Sequence, residues 1–213
     1  MKLYSFFRSS AAFRVRIALN LKQIAYETVA VHLRRNDQSK PDYRAVNPQG
    51  LVPALQDSGL KLIQSFAIIE YLDEVHPDPP LLPKDPAGRA RVRALAEIVA
   101  CDIHPINNLR VLRYLTHDLS HEETAIAKWY NHWIAMGFEA VESLLASDAR
   151  TGAFCHGDSP SLADVTLVPQ VVNAERYRLD LKSYPTLVRI FENCMRLDPF
   201  IAAHPNNQPD YEA

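Results

Sequence analysis

Residues 3 to 7 form a short apolar and aromatic run, and from Ala11 the positions Val15, Ala18 and Leu19 fall on a helical period. This predicts a strand, a turn and a helix. Residues 26 to 33 read as a second strand rich in β-branched side chains, while residues 54–55 and 60–63 flank an Asp57-Ser58-Gly59 turn and read as a hairpin. From Ser65 the spacing of Ile68, Ile69, Leu72 and Val75 is helical again. The order βαβ followed by ββα predicts a mixed sheet with helices packed on it.

Residues 76 to 86 hold five prolines in eleven residues, a density that no continuing helix or central strand tolerates. The expected organisation is an N-terminal domain over 1–78, a proline-rich linker over 79–87 and a second domain over 88–213. Past the linker every long segment is helical in period. Val92, Leu95, Val99, Ile103 and Ile106 make one stripe. Ile126, Trp129, Trp133, Ala140 and Leu144 make a second, and Leu187, Ile190, Phe191 and Cys194 a third. The fold class is therefore α/β followed by all-α, with a polar tail from Pro205 that is expected to be loose.

Composition narrows the partners. At 213 residues and 47% hydrophobic the chain can bury a substantial core in one large or two small domains. Its 23 Lys and Arg against 25 Asp and Glu leave no basic field for nucleic acid or anionic membranes, so a small soluble partner is expected. Cys101, Cys155 and Cys194 are an odd number at wide spacing, which suits a reducing compartment. Arg8, Arg14 and Arg16 interrupt any secretory h-region, and the apolar stretches fall short of the ~20 residues of a membrane span. A cytoplasmic protein is expected.

Three places could carry chemistry. Ser9 and Ser10 stand where the first strand gives way to the first helix, and there hydroxyls and free N–H groups meet the positive end of the helix dipole. A thiolate would be stabilised at such a point, although Ser is also simply a favoured N-cap. Asn47-Pro48-Gln49-Gly50-Leu51-Val52-Pro53 leads into the third strand, where a proline can stand only at the first position or an edge. Gln64-Ser65 opens a helix with groups suited to a carboxylate and an amino group. Together they suggest a tripeptide-sized site. Ser161 and Asp164 have capping-box spacing and a folding role. His117 and His121 stand four apart beside Glu122, but no third ligand is fixed by spacing, and no metal is expected.

With these residues in view the chain resembles the zeta class of glutathione transferases, the family of maleylacetoacetate and maleylpyruvate isomerases. The likeness rests on S-S-x-x-x-R-V-R-I-A-L from Ser9, on N-P-x-x-x-V-P from Asn47, on Gln64-Ser65, and on C-D-I-H-P-I-N-N-L-R at 101 to 110. It covers essentially the whole chain. The resemblance implies a thioredoxin-like N-terminal domain, a helical C-terminal domain, a homodimer and glutathione as the cofactor. It also implies residue roles. Ser9, with Ser10 beside it, would hydrogen-bond the glutathione sulfur, and Val52 would pair through its backbone ahead of a cis Pro53. Gln64 and Ser65 would hold the γ-glutamyl end, with Gln38, His104 and Asn108 completing the contacts. Arg8, Arg110 and Arg176 are expected to take the carboxylates of a dicarboxylate substrate, since guanidinium binds carboxylate bidentately. Two positions depart from the family, Ala11 and Phe13 standing where it carries Cys and Trp or His. That argues against thiol–disulfide exchange, which needs a protein thiol. Tyr4 is the alternative sulfur ligand, as other transferase classes use a first-strand tyrosine.

The expected activity is glutathione-dependent cis–trans isomerisation of a maleyl keto-dicarboxylate. Two other readings stay open: a transferase or dehalogenase acting on small electrophiles, and a non-enzymatic interaction module of the same fold. Maleylacetoacetate and maleylpyruvate present the same cis alkene between carbonyl and carboxylate, and the residues do not separate them.

Overall fold

The computed structural model describes residues 1–212. The chain forms two compact units, one made of Met1–Pro80 joined by the segment from Met195 onward, the other of Leu81–Cys194.

The first unit contains β1 (Lys2–Ser5), α1 (Ser10–Leu21), β2 (Glu27–Ala30), the short α2 (Pro41–Arg44), β3 (Ala54–Asp57), β4 (Leu60–Ile63) and α3 (Ser65–Val75). The sheet order is β2-β1-β3-β4, with β1 and β2 parallel and the other two pairs antiparallel. The expected βαβ-ββα order and mixed sheet are what is found. Strand β2 is shorter than the predicted 26–33, because His32 turns the chain into a 3-10 helix, its Nδ1 accepting the Arg35 N–H at 3.2 Å.

Register sets where the loops emerge. Ser5 pairs with Ala30, Tyr4 with Ala54, and Ala54 with Ile63. The turn after β1, the segment after β2, the approach to β3 and the exit from β4 therefore all lie at one end of the sheet.

Helix α1 is buried on nearly every face, Arg14 and Arg16 included, because it packs against α3 on one side and against α9 (Asp198–Ala203) on another. Here the structure corrects two expectations. The segment from Met195 belongs to the first unit and not to a helical domain running to residue 213, and the tail from Pro205 is tied down. Arg16 Nε donates to the Ala203 carbonyl at 3.0 Å and Asn20 to that of Pro199 at 3.0 Å. The Phe7 N–H donates to Asp210 at 2.9 Å. Lys22 closes the base of the unit, its Nζ donating to Asp73 at 2.8 Å and to the His76 and Pro79 carbonyls.

The second unit is helical: α4 (Pro86–Glu97), α5 (Leu109–Arg113), α6 (Glu123–Ala146), α7 (Leu162–Arg176) and α8 (Pro185–Cys194). After α4 the chain continues in wider π turns over Ile98–Ile103 and breaks at Pro105. Helix α7 is buried along almost its whole length and packs against α4 and α8. Its start is organised by Asp164, whose carboxylate accepts the N–H and hydroxyl of Ser161 and the N–H of Cys155. The predicted face of α6 is out of phase. Tyr130, Ile134, Phe138, Val141 and Leu145 are buried, while Ala140 and Leu144 are exposed, because this helix carries apolar residues on two sides and periodicity does not choose between them.

Candidate active site

At the exit of β1 the chain turns through Phe6, Phe7 and Arg8, and Ser9 caps α1, its hydroxyl oxygen accepting the Ala12 N–H at 3.2 Å. A Ser Oγ that accepts one backbone N–H keeps its own proton free to donate. Ser10 is buried and Arg8 exposed, with the Arg8 guanidinium 5.4 Å from the Phe7 ring centre. The turn rests on Arg16, which is fully buried and donates to Ser5 Oγ at 3.0 Å and to the Phe7 carbonyl at 3.1 Å. Burial lowers the Arg16 pKa to about 10, and the nearby Tyr26 and Asp210 oppose that shift, so the guanidinium stays charged at neutral pH.

The approach to β3 is built on Asn47, itself buried. Its amide donates to the Leu51 carbonyl at 2.7 Å, its oxygen accepts the Gln49 N–H at 3.0 Å, and the Tyr43 hydroxyl also donates to Leu51. Val52 follows, outside the ladder that begins at Ala54, and the Val52–Pro53 peptide is cis. Val52 packs in one cluster with Phe6, Phe7, Val31 and Tyr43, which brings it beside the turn that carries Ser9. At the exit of β4, Gln64 has φ +71° and ψ 121°, an arrangement unfavourable for a side-chain-bearing residue by roughly 1–3 kcal/mol. The Gln64 amide donates to Gln49 at 2.8 Å, and Ser65, buried at the first turn of α3, accepts from Arg14 at 3.4 Å. Arg14 thus joins the starts of α1 and α3. Gln38 follows β2, its amide donating to Asn36 at 2.9 Å while its buried Oε1 has no hydrogen-bond partner. A buried carbonyl oxygen left idle is costly, and a ligand N–H would satisfy it.

The remaining expected residues lie in the second unit. His104 is half-buried at the end of the π turns, and Asn108 caps α5 by accepting the Arg110 N–H at 3.1 Å. Arg110 is exposed. Arg176 ends α7 with its guanidinium 5.1 Å from the Tyr177 ring centre, and Tyr177 stacks on Tyr130 at 3.6 Å. Burial pushes the Tyr130 hydroxyl up to about 12, opposed by the neighbouring Arg176. A cleft between Leu115 and the Ala125–His132 side of α6 holds none of the expected residues.

Residues 1–74 match the family model for the glutathione S-transferase N-terminal domain. Over 210 residues the chain is 52% identical to a maleylpyruvate isomerase of Ralstonia sp., covering 99% of both chains. The chain belongs to the zeta class of glutathione transferases. It superposes with a TM-score of 0.98 on the holo structure of a maleylpyruvate isomerase, a bacterial zeta-class glutathione S-transferase, at 52% identity and full coverage of both chains. Against a maleylacetoacetate isomerase of Methylobacterium extorquens AM1 bound to malonate and glutathione, the TM-score is 0.97 at 44% identity, again over both whole chains.

In this transferase the Phe13 departure is absorbed by the core, for Phe13 is fully buried and meets His204 edge-on at 6.0 Å. The buried thiols of Cys155 and Cys194 are pushed up by desolvation, and neither has the thiolate character of a nucleophile. Tyr4 hydrogen-bonds Gln56 at 3.3 Å and tilts against Tyr43, the behaviour of a packed strand residue. Arg16, Asn47 and Tyr43, given no individual role by the sequence, hold the turn after β1 and the approach to β3. Only the polarity of Asn47 before a Pro-Gln-Gly turn offered a signal.

Proposed function

We propose that this protein is a glutathione-dependent cis–trans isomerase of maleyl keto-dicarboxylates, acting in the cytoplasm as a homodimer. The observation that carries the reading is the gathering of Ser9, Gln38, Val52 and Gln64-Ser65 at one end of the sheet, between two helix N-termini. Relatives of about half identity with isomerase names support it.

Bound glutathione would supply the thiol nucleophile that permits rotation about the cis alkene of the substrate and would be returned unchanged. Ser9 would donate its hydroxyl proton to the sulfur, and the α1 dipole would lower the cost of the negative charge. The Val52 backbone would pair with the peptide of the cofactor, Ser65 and Gln64 would take its γ-glutamyl end, and Gln38 Oε1 would accept one of its N–H groups. Ser10, next in α1, would stand beside Ser9 at the sulfur, and His104 and Asn108 would complete the cofactor contacts. Arg8, Arg110 and Arg176 hold the two carboxylates of the substrate. Arg8 adjoins the turn that carries Ser9 and would place positive charge beside the reacting end of the substrate.

The test is direct. Maleylpyruvate and maleylacetoacetate are each supplied with glutathione, and formation of the trans isomer is followed. Ser9→Ala should lower turnover roughly 10- to 100-fold while changing retention on immobilised glutathione far less. Glutathione retention without isomerisation of either compound would move the assignment to a transferase of small electrophiles. Loss of retention altogether would point to an interaction module.

A further inference from the structure

The last three described residues each grip the loops at the functional end of the sheet. Asp210 Oδ2 accepts the Phe7 N–H at 2.9 Å, the Tyr211 ring meets that of Phe7 edge-on at 5.5 Å, and Glu212 pairs with His32 at 2.9 Å and with Arg35. The Phe7 peptide groups are therefore clamped from both sides, N–H by Asp210 and carbonyl by Arg16. The next hydrogen bond along this turn runs from the Ser9 N–H to the Phe6 carbonyl at 2.9 Å. Two hydrogen bonds, one at each end of the Phe6–Phe7 peptide group, thus connect a carboxylate some two hundred residues away to the backbone of Ser9. The other oxygen of Asp210 is buried without a hydrogen-bond partner. A carboxylate so placed loses hydration at one oxygen without gaining a hydrogen bond there. The charge that compensates it is Arg16, which also anchors the turn.

We propose that Asp210 is a positioning residue for Ser9, the C-terminal segment latching the Phe6–Ser9 turn so that the Ser9 hydroxyl stays aimed at the cofactor sulfur. The inference rests on the assignment of Ser9 in the proposed function. Displacing a donor by a fraction of an ångström weakens a hydrogen bond to a forming anion, whereas a general loss of packing lowers stability without moving a titration.

The thiol titration of enzyme-bound glutathione, read by ultraviolet difference absorbance, and the pH profile of kcat test it. Asp210→Ala should raise the bound thiol pKa by about one unit and lower kcat near pH 7 roughly tenfold, with the deficit closing towards alkaline pH, since one unit corresponds to tenfold in thiolate. KM for glutathione should change less than about threefold. Asp210→Asn keeps an acceptor for the Phe7 N–H and should restore most of the turnover. The other charged groups around the turn are Arg8 and Arg34 over Phe7, Arg16 beneath it, His32 and Arg35 on Glu212, and His204 against Phe13. All are retained in the variant, and Asp210→Asn loses the same charge, so the difference between the two variants reports the lost acceptor and not the lost charge. If Asp210→Ala does not fold, the double variant Tyr211→Ala with Glu212→Gln releases the same strap and should shift the titration in the same direction by a smaller amount. A profile that superimposes on the wild type in the variant that folds overturns the proposal. If Ser9→Ala shifts the titration and the strap variants do not, this inference alone fails; if Ser9→Ala itself leaves it unmoved, the Ser9 reading fails and takes the inference with it.

Discussion

The Arg16 guanidinium donates to the Phe7 carbonyl at 3.1 Å from inside a fully buried site. The same group also serves Ser5 Oγ and the Ala203 carbonyl, so one side chain joins β1, the Ser9 turn and α9. Arg16→Met has a similar length but no donors, and leaves several buried acceptors unsatisfied. Each such loss costs about 1–3 kcal/mol, and the expected total is about 4 kcal/mol, measured by urea unfolding. Arg16→Lys keeps the charge without the fork and should lie between. A loss below about 1 kcal/mol for Arg16→Met would mean that water replaces the guanidinium contacts.

Gln64 makes a different demand, because its backbone rather than its side chain is under strain. Gln64→Gly removes the Cβ conflict at φ +71° and should stabilise the free protein by about 1 kcal/mol. Without the amide that meets Gln49, glutathione binding should weaken roughly tenfold, a change of about 1.4 kcal/mol. Thermal unfolding and calorimetric titration with glutathione separate the two effects. Stabilisation with unaltered affinity would remove Gln64 from the cofactor site.

Acid should loosen the second unit through Asp148. Its carboxylate accepts from Arg91 Nε at 2.8 Å and pairs with Arg150, and these contacts, Arg150 foremost, hold its pKa well below the usual carboxylate range. A carboxylate with a depressed folded pKa contributes stability that is complete above its unfolded value, about 3.9, and is lost as pH falls towards the folded one. Thermal midpoints should therefore drop more steeply below about pH 4 in the wild type than in Asp148→Asn. Parallel curves would show that solvent screens the cluster fully.

The parts of this molecule legible in its sequence are those governed by neighbours in the chain. The Asp57-Ser58-Gly59 turn announced its hairpin, Ser9 and Ser161 announced their helices, and the prolines around residue 80 marked the division between units. What escaped depends on distant partners. Arg14 and Arg16 look like surface charges on an amphipathic helix, and packing of α1 against α3 and α9 makes them interior. The tail looks loose because its composition is polar, yet the partners of Asp210 and Glu212 are residues 7, 32 and 35. Gln64 carries no mark of positive φ, since any residue other than Gly is an improbable choice there.

Arg176, exposed at the end of α7, has Tyr177 beneath it and the Tyr130 hydroxyl beside it. A guanidinium held over one ring and beside a second keeps its fork oriented before substrate arrives, which reduces the side-chain entropy lost on binding. Arg176→Met should raise KM for a maleyl dicarboxylate roughly tenfold and leave KM for glutathione within about twofold, since uniform binding is what a remote carboxylate clamp supplies. Tyr130→Phe keeps the stacked ring and removes only the hydroxyl beside Arg176, so its KM should rise in the same direction by a smaller factor. Arg8→Met should differ from both by lowering kcat as well, because that residue adjoins the sulfur-bearing turn and would meet charge as it develops. The comparison that matters is a substrate analogue with one carboxylate esterified. If Arg176 binds that group, the ester should be turned over equally well by wild type and Arg176→Met. A tenfold penalty that persists with each monoester would place Arg176 outside the carboxylate site and leave its role to the packing of α7.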